Sequence, residues 1–264
     1  MFTVEIAKAW HRPRTWVFAA GLALLAALPV IVLRGLGASG QGGVFFEEIR
    51  HSGPFAALAA VALIQPFFLP LGTALLSGEA VAAEASNGTL RYLLVRPVTR
   101  SRLVLEKFAA VMAQVGLAVL FVIVVGLVAG GIGFGFGPMP TLSGSLLGLG
   151  PGLLRIIVAG AYVLLGVSGL AAIGVFLSTL TDAGLGAAAA TLAIGIASQV
   201  LDALSSLRAI HGYLPTHGWL AYADLFRSPV EWSGMVRGAG LYLAYALVFL
   251  TAALFAFGRR DVHS

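Results

Sequence analysis

Apolar residues run through this chain in long blocks that no charge interrupts. Stretches free of Asp, Glu, Lys and Arg are Thr15–Leu33, His51–Gly78, Phe108–Leu154, Ile156–Thr181, Ala183–Leu201 and Gly238–Gly258. A helix needs about 20 apolar residues to cross the hydrocarbon layer of a bilayer. Five of the blocks therefore hold one span each. The Phe108–Leu154 block is 47 residues long and has room for two. From Gly130, however, it reads Gly-Gly-Ile-Gly-Phe-Gly-Phe-Gly-Pro-Met-Pro, a density of glycine and proline that breaks helices. The pattern predicts an all-α polytopic membrane protein, a single transmembrane domain over 1–264 with six transmembrane helices. They fall at about 15–34, 54–77, 108–129, 153–177, 183–201 and 238–258, with an irregular loop at 130–152.

Composition narrows the class further. Of the 264 residues, 59% are hydrophobic and 10% charged, where a soluble domain carries about a quarter charged residues. No water-soluble core absorbs that much apolar surface, so lipid is the solvent for most of the chain. A soluble enzyme, a disordered chain and a nucleic-acid-binding module are excluded. The net charge of +5 comes from 16 basic and 11 acidic residues, and in a membrane protein such cations act as topology determinants. With the N-terminus inside, Lys8, Arg12, Arg14, Arg91, Arg96, Arg100, Arg102, Lys107, Arg259 and Arg260 face the cytoplasm. Arg34, Arg50, Arg155, Arg208, Arg227 and Arg237 face the other side. This bias and an even number of spans put both termini in the cytoplasm of a multi-pass protein of the cell membrane. The first block follows Lys8, Arg12 and Arg14 as a secretory signal would, but exceeds the 7–15 residues of a signal core. It is expected to be a retained anchor. The absence of cysteine excludes disulfides, thiolate metal sites and cysteine nucleophiles.

Chemistry is sparse within the spans. Gly166-Val167-Ser168-Gly169 has the GxSG pattern of intramembrane serine proteases, but that reaction needs a histidine base on a neighbouring helix. All five histidines fall at span ends or in loops. Small residues that let helices approach closely explain the pattern better, as they do the Gly126–Gly130 pair. Gln65 and Gln114 are the conspicuous polar groups at depth, as pathway contacts or as interhelical hydrogen bonds. No catalytic, cofactor-binding or metal-binding set emerges, and no G-x-x-x-x-G-K-[ST] phosphate loop occurs.

The densest charge lies between the second and third spans, at about 84–102. Asn87-Gly88 interrupts a helix, and a short apolar helix of about 89–95 follows, with Leu90, Leu93 and Leu94 on one face. Pro97 stops it, and Thr99 is placed to cap the third span. Glu84 sits where the negative end of a helix dipole disfavours a carboxylate, so a cation is expected beside it, Arg100 first among Arg91, Arg100 and Arg102. Residues 2–12 form a second amphipathic element: Phe2, Ile6, Ala9 and Trp10 share a face, and Pro13 ends it. The segment 202–237 mixes aromatic residues with scattered charges and suits a lipid–water boundary on the outer side.

The order Glu84, Gly88-Thr89-Leu90, Leu93-Leu94, Pro97, Arg100, Lys107 resembles the cytoplasmic loop signature of ABC type-2 exporter permeases, with Arg91 among the residues it implies for coupling. The ending Phe257-Gly258-Arg259-Arg260-Asp261-Val262 is similar to one common in that family. Val95-Arg96 before Pro97 departs from the small or polar residue that many relatives carry there. The resemblance implies a permease subunit of an ATP-driven exporter, with 84–102 as the coupling element and 2–12 as a connecting helix. It implies a separate cytosolic ABC ATPase that holds ATP and Mg2+, and a second permease copy or sister permease that completes the pathway. It also implies short helices within 202–237 forming an external gate. Two other classes stay open on the residues alone: an ATP-independent channel or facilitator, and a non-transporting membrane assembly factor.

The orientation is checked by single cysteines in this cysteine-free chain. Gly40→Cys and Pro140→Cys should react with an impermeant maleimide in intact cells, whereas Arg96→Cys and Val262→Cys should react only after permeabilisation.

Overall fold

A computed structural model describes residues 13–35, 52–86 and 100–259 of the chain, with the side chains of 13–18, 84–86 and 100 left aside. The elements are helices α1 (Pro13–Gly35), α2 (Phe55–Ile64), α3 (Phe68–Ser86) and α4 (Arg100–Phe134), then strands β1 (Met139–Pro140) and β2 (Leu146–Leu147). Helices α5 (Leu149–Leu180) and α6 (Gly184–Ala203) follow, then a 3-10 turn (Ser205–Leu207), the short α7 (Arg208–His211), a second 3-10 stretch (Ala221–Phe226) and α8 (Ser233–Arg259). A helix lies in each of the six stretches that the sequence marks as spans. By length and composition α4, α5, α6 and α8 each suffice to cross a membrane, and α2 with α3 makes a fifth if taken as one bent span. Helix α1 adds an apolar stretch over Ala19–Gly35, where its side chains are described. The chain is thus an all-α polytopic membrane protein.

Three sequence boundaries need correction. The span expected at 54–77 is two helices bent by 57° at Gln65–Phe67. Pro66 lies at that break, and its missing N–H removes a helical hydrogen bond. The helix expected to stop at 129 continues through the glycines to Phe134. Intrinsic propensity costs about 1 kcal/mol per glycine, and close packing outweighs it here. A Cβ on Gly126 would lie 2.6 Å from the Cα of Ala57, and one on Gly130 would strike the carbonyl of Gly53. Small residues therefore let the backbones of α2 and α4 touch, as the Gly126–Gly130 spacing suggests. The loop expected at 130–152 holds an antiparallel two-residue hairpin, Met139 opposite Leu147, and the next helix starts at Leu149 rather than near Leu153. Its tight turn uses Gly144 at φ +82° and a Thr141–Ser145 hydroxyl pair 2.7 Å apart.

Burial sorts the helices into a centre and a lipid-facing shell. From Phe55 through Val61, α2 is almost wholly buried, as a helix apolar on every side must be. In α5, 72% of the apolar core is buried inside the protein, against 33% for α4, 28% for α6 and 22% for α8. Helix α8 packs along α5, α3 packs on α5 and α6, and α1 packs on α2 and α4. Leu117, Leu120, Val124 and Val128 of α4, and Leu243, Leu247 and Val248 of α8, point outward as lipid-facing side chains.

If the α2–α4 contact is as tight as this, Gly126→Ala should lower stability in detergent by about 1–3 kcal/mol through overpacking. Gly240→Ala on α8, where nothing lies within 4 Å, should be neutral or stabilising. Thermal unfolding of the two variants side by side checks both.

Candidate functional site

The two ends of the bundle carry different chemistry. At one end α3 terminates, α4 begins and α8 stops at Arg259. A small apolar cluster of Val81, Leu103, Val104, Val175, Ala253 and Phe257 joins α3, α4, α5 and α8 there. Within it the Ser178 hydroxyl of α5 accepts the backbone N–H groups of Val81 (3.0 Å) and Ala82 (2.9 Å). Ser77 Oγ donates back to the Thr73 carbonyl at 2.7 Å, and a Cβ on Gly78 would strike the backbone of Ala188 on α6. Helix α3 is thereby pinned to α5 and α6 just before Glu84. Glu84 falls in the last turn of α3 and Arg100 is the first residue of α4. Gly88, Thr89, Leu90, Arg91, Leu93, Leu94 and Pro97 lie outside the described residues, as do the side chains of Glu84 and Arg100 and the amphipathic segment 2–12. Arg102 pairs with Glu106 on its own helix at 2.8 Å. That pair is largely exposed and contributes at most about 1 kcal/mol.

At the opposite end, the segment between α6 and α8 folds back onto the bundle and carries a polar seam. Three consecutive carbonyls of this capping segment are each taken by a different part of the bundle. Tyr242 of α8 donates to the His217 carbonyl at 2.7 Å, and Tyr162 of α5 to the Gly218 carbonyl at 2.9 Å. Gln65, at the α2–α3 break, donates from Nε2 to the Trp219 carbonyl at 2.9 Å. Gly218 adopts φ +75°, a left-handed conformation that favours glycine. The Trp219 indole, 5% exposed, donates to the Gly166 carbonyl of α5 at 3.1 Å. Ser198 of α6 and Thr216 share a hydroxyl contact of 2.6 Å, and Tyr245 donates to the Tyr213 carbonyl at 2.6 Å. Arg155 of α5 donates to the Leu225 carbonyl at 2.6 Å, and the Leu142 N–H from the hairpin reaches the Phe226 carbonyl at 2.8 Å. Burial pushes the Tyr222 phenol above its ordinary range, so it stays neutral.

The two glutamines expected at depth part company. Gln65 is 2% exposed, and its Oε1 has no hydrogen-bond partner among the described residues. Among the described residues Gln114 bonds the Ala110 carbonyl of its own helix, at 3.3 Å, and no other helix. Ser168 of the GxSG pattern donates to the Leu165 carbonyl at 2.6 Å. Gly166 meets Trp219, and Gly169 meets Tyr245. These are packing contacts rather than a nucleophile's surroundings.

Sequence reasoning missed one grouping. Asp202, in the last turn of α6, meets His217 Nδ1 at 2.7 Å and His211 Nδ1 at 3.7 Å. One ligand-type atom from each of the three residues lies within 4.8 Å of the other two. The histidines are only six positions apart, but Asp202 belongs to α6, and nothing in the local pattern announces the fold-back that brings them to it.

The bundle and its capped end define an all-helical, multi-pass membrane protein with a broken central helix. The chain belongs to the family described as "Protein of unknown function (DUF2705)", whose model matches residues 36–263. It is 32% identical over 161 residues to the "Probable ABC transporter permease protein NosY" of Stutzerimonas stutzeri, covering 57% of this chain and 53% of that protein. It is 30% identical over 147 residues to the protein of the same name from Pseudomonas aeruginosa, covering 56% of this chain and 45% of that one. The chain spans about half the length of these curated relatives.

Tyr242→Phe removes one carbonyl tie and should cost about 0.5–1.5 kcal/mol. Hydrogen exchange should rise at the amides of 213–219 and stay unchanged at 103–111.

Proposed function

We propose that this chain is the membrane-spanning permease subunit of an ATP-driven ABC exporter. The observation that carries the reading is the pairing of its ABC-permease relatives with the loop signature between α3 and α4. Under this reading ATP and Mg2+ are held by a separate cytosolic ATPase, and the chain acts as a transport subunit rather than as an enzyme. Under this reading, 84–102 receives the ATPase stroke at the cytoplasmic face of the cell membrane. Both termini share that face, and a second copy or a sister permease completes the pathway.

The described helices supply a route for the force. Helix α3 is held to α5 by Ser178 and to α6 at Gly78, so a push at Glu84 moves these helices together. The bend at Gln65–Phe67 frees α2, which stays packed against α4. Gln65 is the stronger pathway candidate of the two glutamines, because its buried Oε1 leaves a lone pair for a substrate's donor. An ion pair of Glu84 with Arg100 would set the angle between α3 and the coupling helix.

Leu93→Asp combined with Leu94→Asp should release the co-purifying ATPase while membrane insertion stays normal. Glu84→Gln should leave the complex assembled and hydrolysing ATP but lower transport in proteoliposomes, with partial recovery when Glu84 and Arg100 are exchanged. Flux without nucleotide would point to a channel instead. A bound partner with no flux would point to an assembly factor.

A further inference from the structure

The Asp202–His211–His217 cluster has the makings of a cation site. A carbonyl can only accept, so the His211 Nε2 contact with the Leu204 carbonyl at 3.1 Å requires the proton on Nε2. The neutral ring then turns the bare lone pair of Nδ1 toward the Asp202 carboxylate, 3.7 Å away. Two electron-rich atoms face each other, and a cation between them turns that repulsion into attraction. The backbone bond that fixes the His211 tautomer is the orienting contact that metal-ligating histidines usually carry. Asp202 also sits at the C-terminal end of α6, where the helix dipole favours positive charge.

We propose that Asp202, His211 and His217 bind one divalent transition-metal cation of the Zn2+ class. The bound ion clips the capping segment to the end of α6. Two imidazoles and a carboxylate suit Zn2+ and its neighbours, whereas Ca2+ and Mg2+ prefer all-oxygen sites. A tetrahedral ion with ligands at about 2.0–2.1 Å spaces them about 3.3 Å apart. The His211–Asp202 distance is already close to that, and the His217–Asp202 pair must open by about half an ångström from 2.7 Å. The ion replaces the Nδ1 proton of His217, which leaves to solvent past a side chain that is 43% exposed. That exposure leaves the fourth coordination position to water. Three protein ligands plus one open position is the arrangement of exchangeable zinc sites rather than closed structural ones.

The test uses the full chain, purified in detergent with a tag that contains no histidine. Competition against a chromophoric chelator should show one Zn2+ per chain. Asp202→Asn, His211→Gln and His217→Gln should each weaken binding by about tenfold or more. A triple variant, His11→Gln with His51→Gln and His263→Gln, should bind as the unaltered chain does. X-ray absorption of the Zn2+-loaded unaltered chain should show two imidazoles and light oxygen ligands, a result that depends on no variant's folding. Absence of stoichiometric Zn2+, full binding by a folded cluster variant, or a spectrum without imidazole scattering would overturn the proposal and leave a plain Asp–His hydrogen bond. Binding is read without an ATPase, so its outcome is independent of the transport reading.

Discussion

A backbone opened in an apolar surround must find partners for its polar groups, because no water is there to supply them. The break at Gln65–Phe67 poses that problem beside the capped end, where Gln65 is buried and Phe67 exposed. The Pro66 carbonyl accepts from Gln199 Nε2 of α6 at 2.8 Å, and the side chain of Gln65 reaches the capping segment. Once that segment is drawn in, its own carbonyls need donors. Tyr162, Tyr242 and Gln65 supply three in succession. The broken helix and the folded-back segment are therefore two parts of one solution. Loss of either exposes polar backbone at about 1–3 kcal/mol per unsatisfied group.

The two ends also differ in how they are held. The capped end is tied by directional bonds to α2–α3, α5, α6 and α8. The other end is held mainly by apolar contact and by Ser178, whose single oxygen accepts two backbone N–H groups of α3. Bonds with fixed geometry suit a gate or a metal clip. At the other end α3 is pinned to α5 and α6, so under the proposed coupling the three helices would move as one.

Much of the fold was legible in charge-free blocks, because lipid imposes a length that composition reveals. The close-packing role of Gly126 and Gly130 was readable from their spacing, because small residues four apart let helices approach closely. Other features were not. The Gly130–Phe134 stretch reads as a breaker, yet the fit of Gly130 against Gly53 keeps it helical. Pro66 lay in plain view, but a lone proline can kink a span slightly or split it by 57°, and neighbouring side chains decide which. The seam was hidden most deeply. Its acceptors are mostly main-chain carbonyls, which carry no sequence signal, and beside Gln65 its donors include tyrosines of ordinary membrane-interface type. The 84–102 loop was the reverse case, readable as a motif although Gly88 through Pro97 lie outside the described residues.

The central claim is that ATP held by another chain moves this one through the loop between α3 and α4. Deuterium uptake, measured by mass spectrometry on the chain co-purified with its ATPase, with and without Mg-ATP, addresses it most directly. The account predicts a nucleotide-dependent change at 84–102 and the adjoining end of α3, with uptake at 55–64 constant. Identical uptake at 84–102 in both states would contradict it.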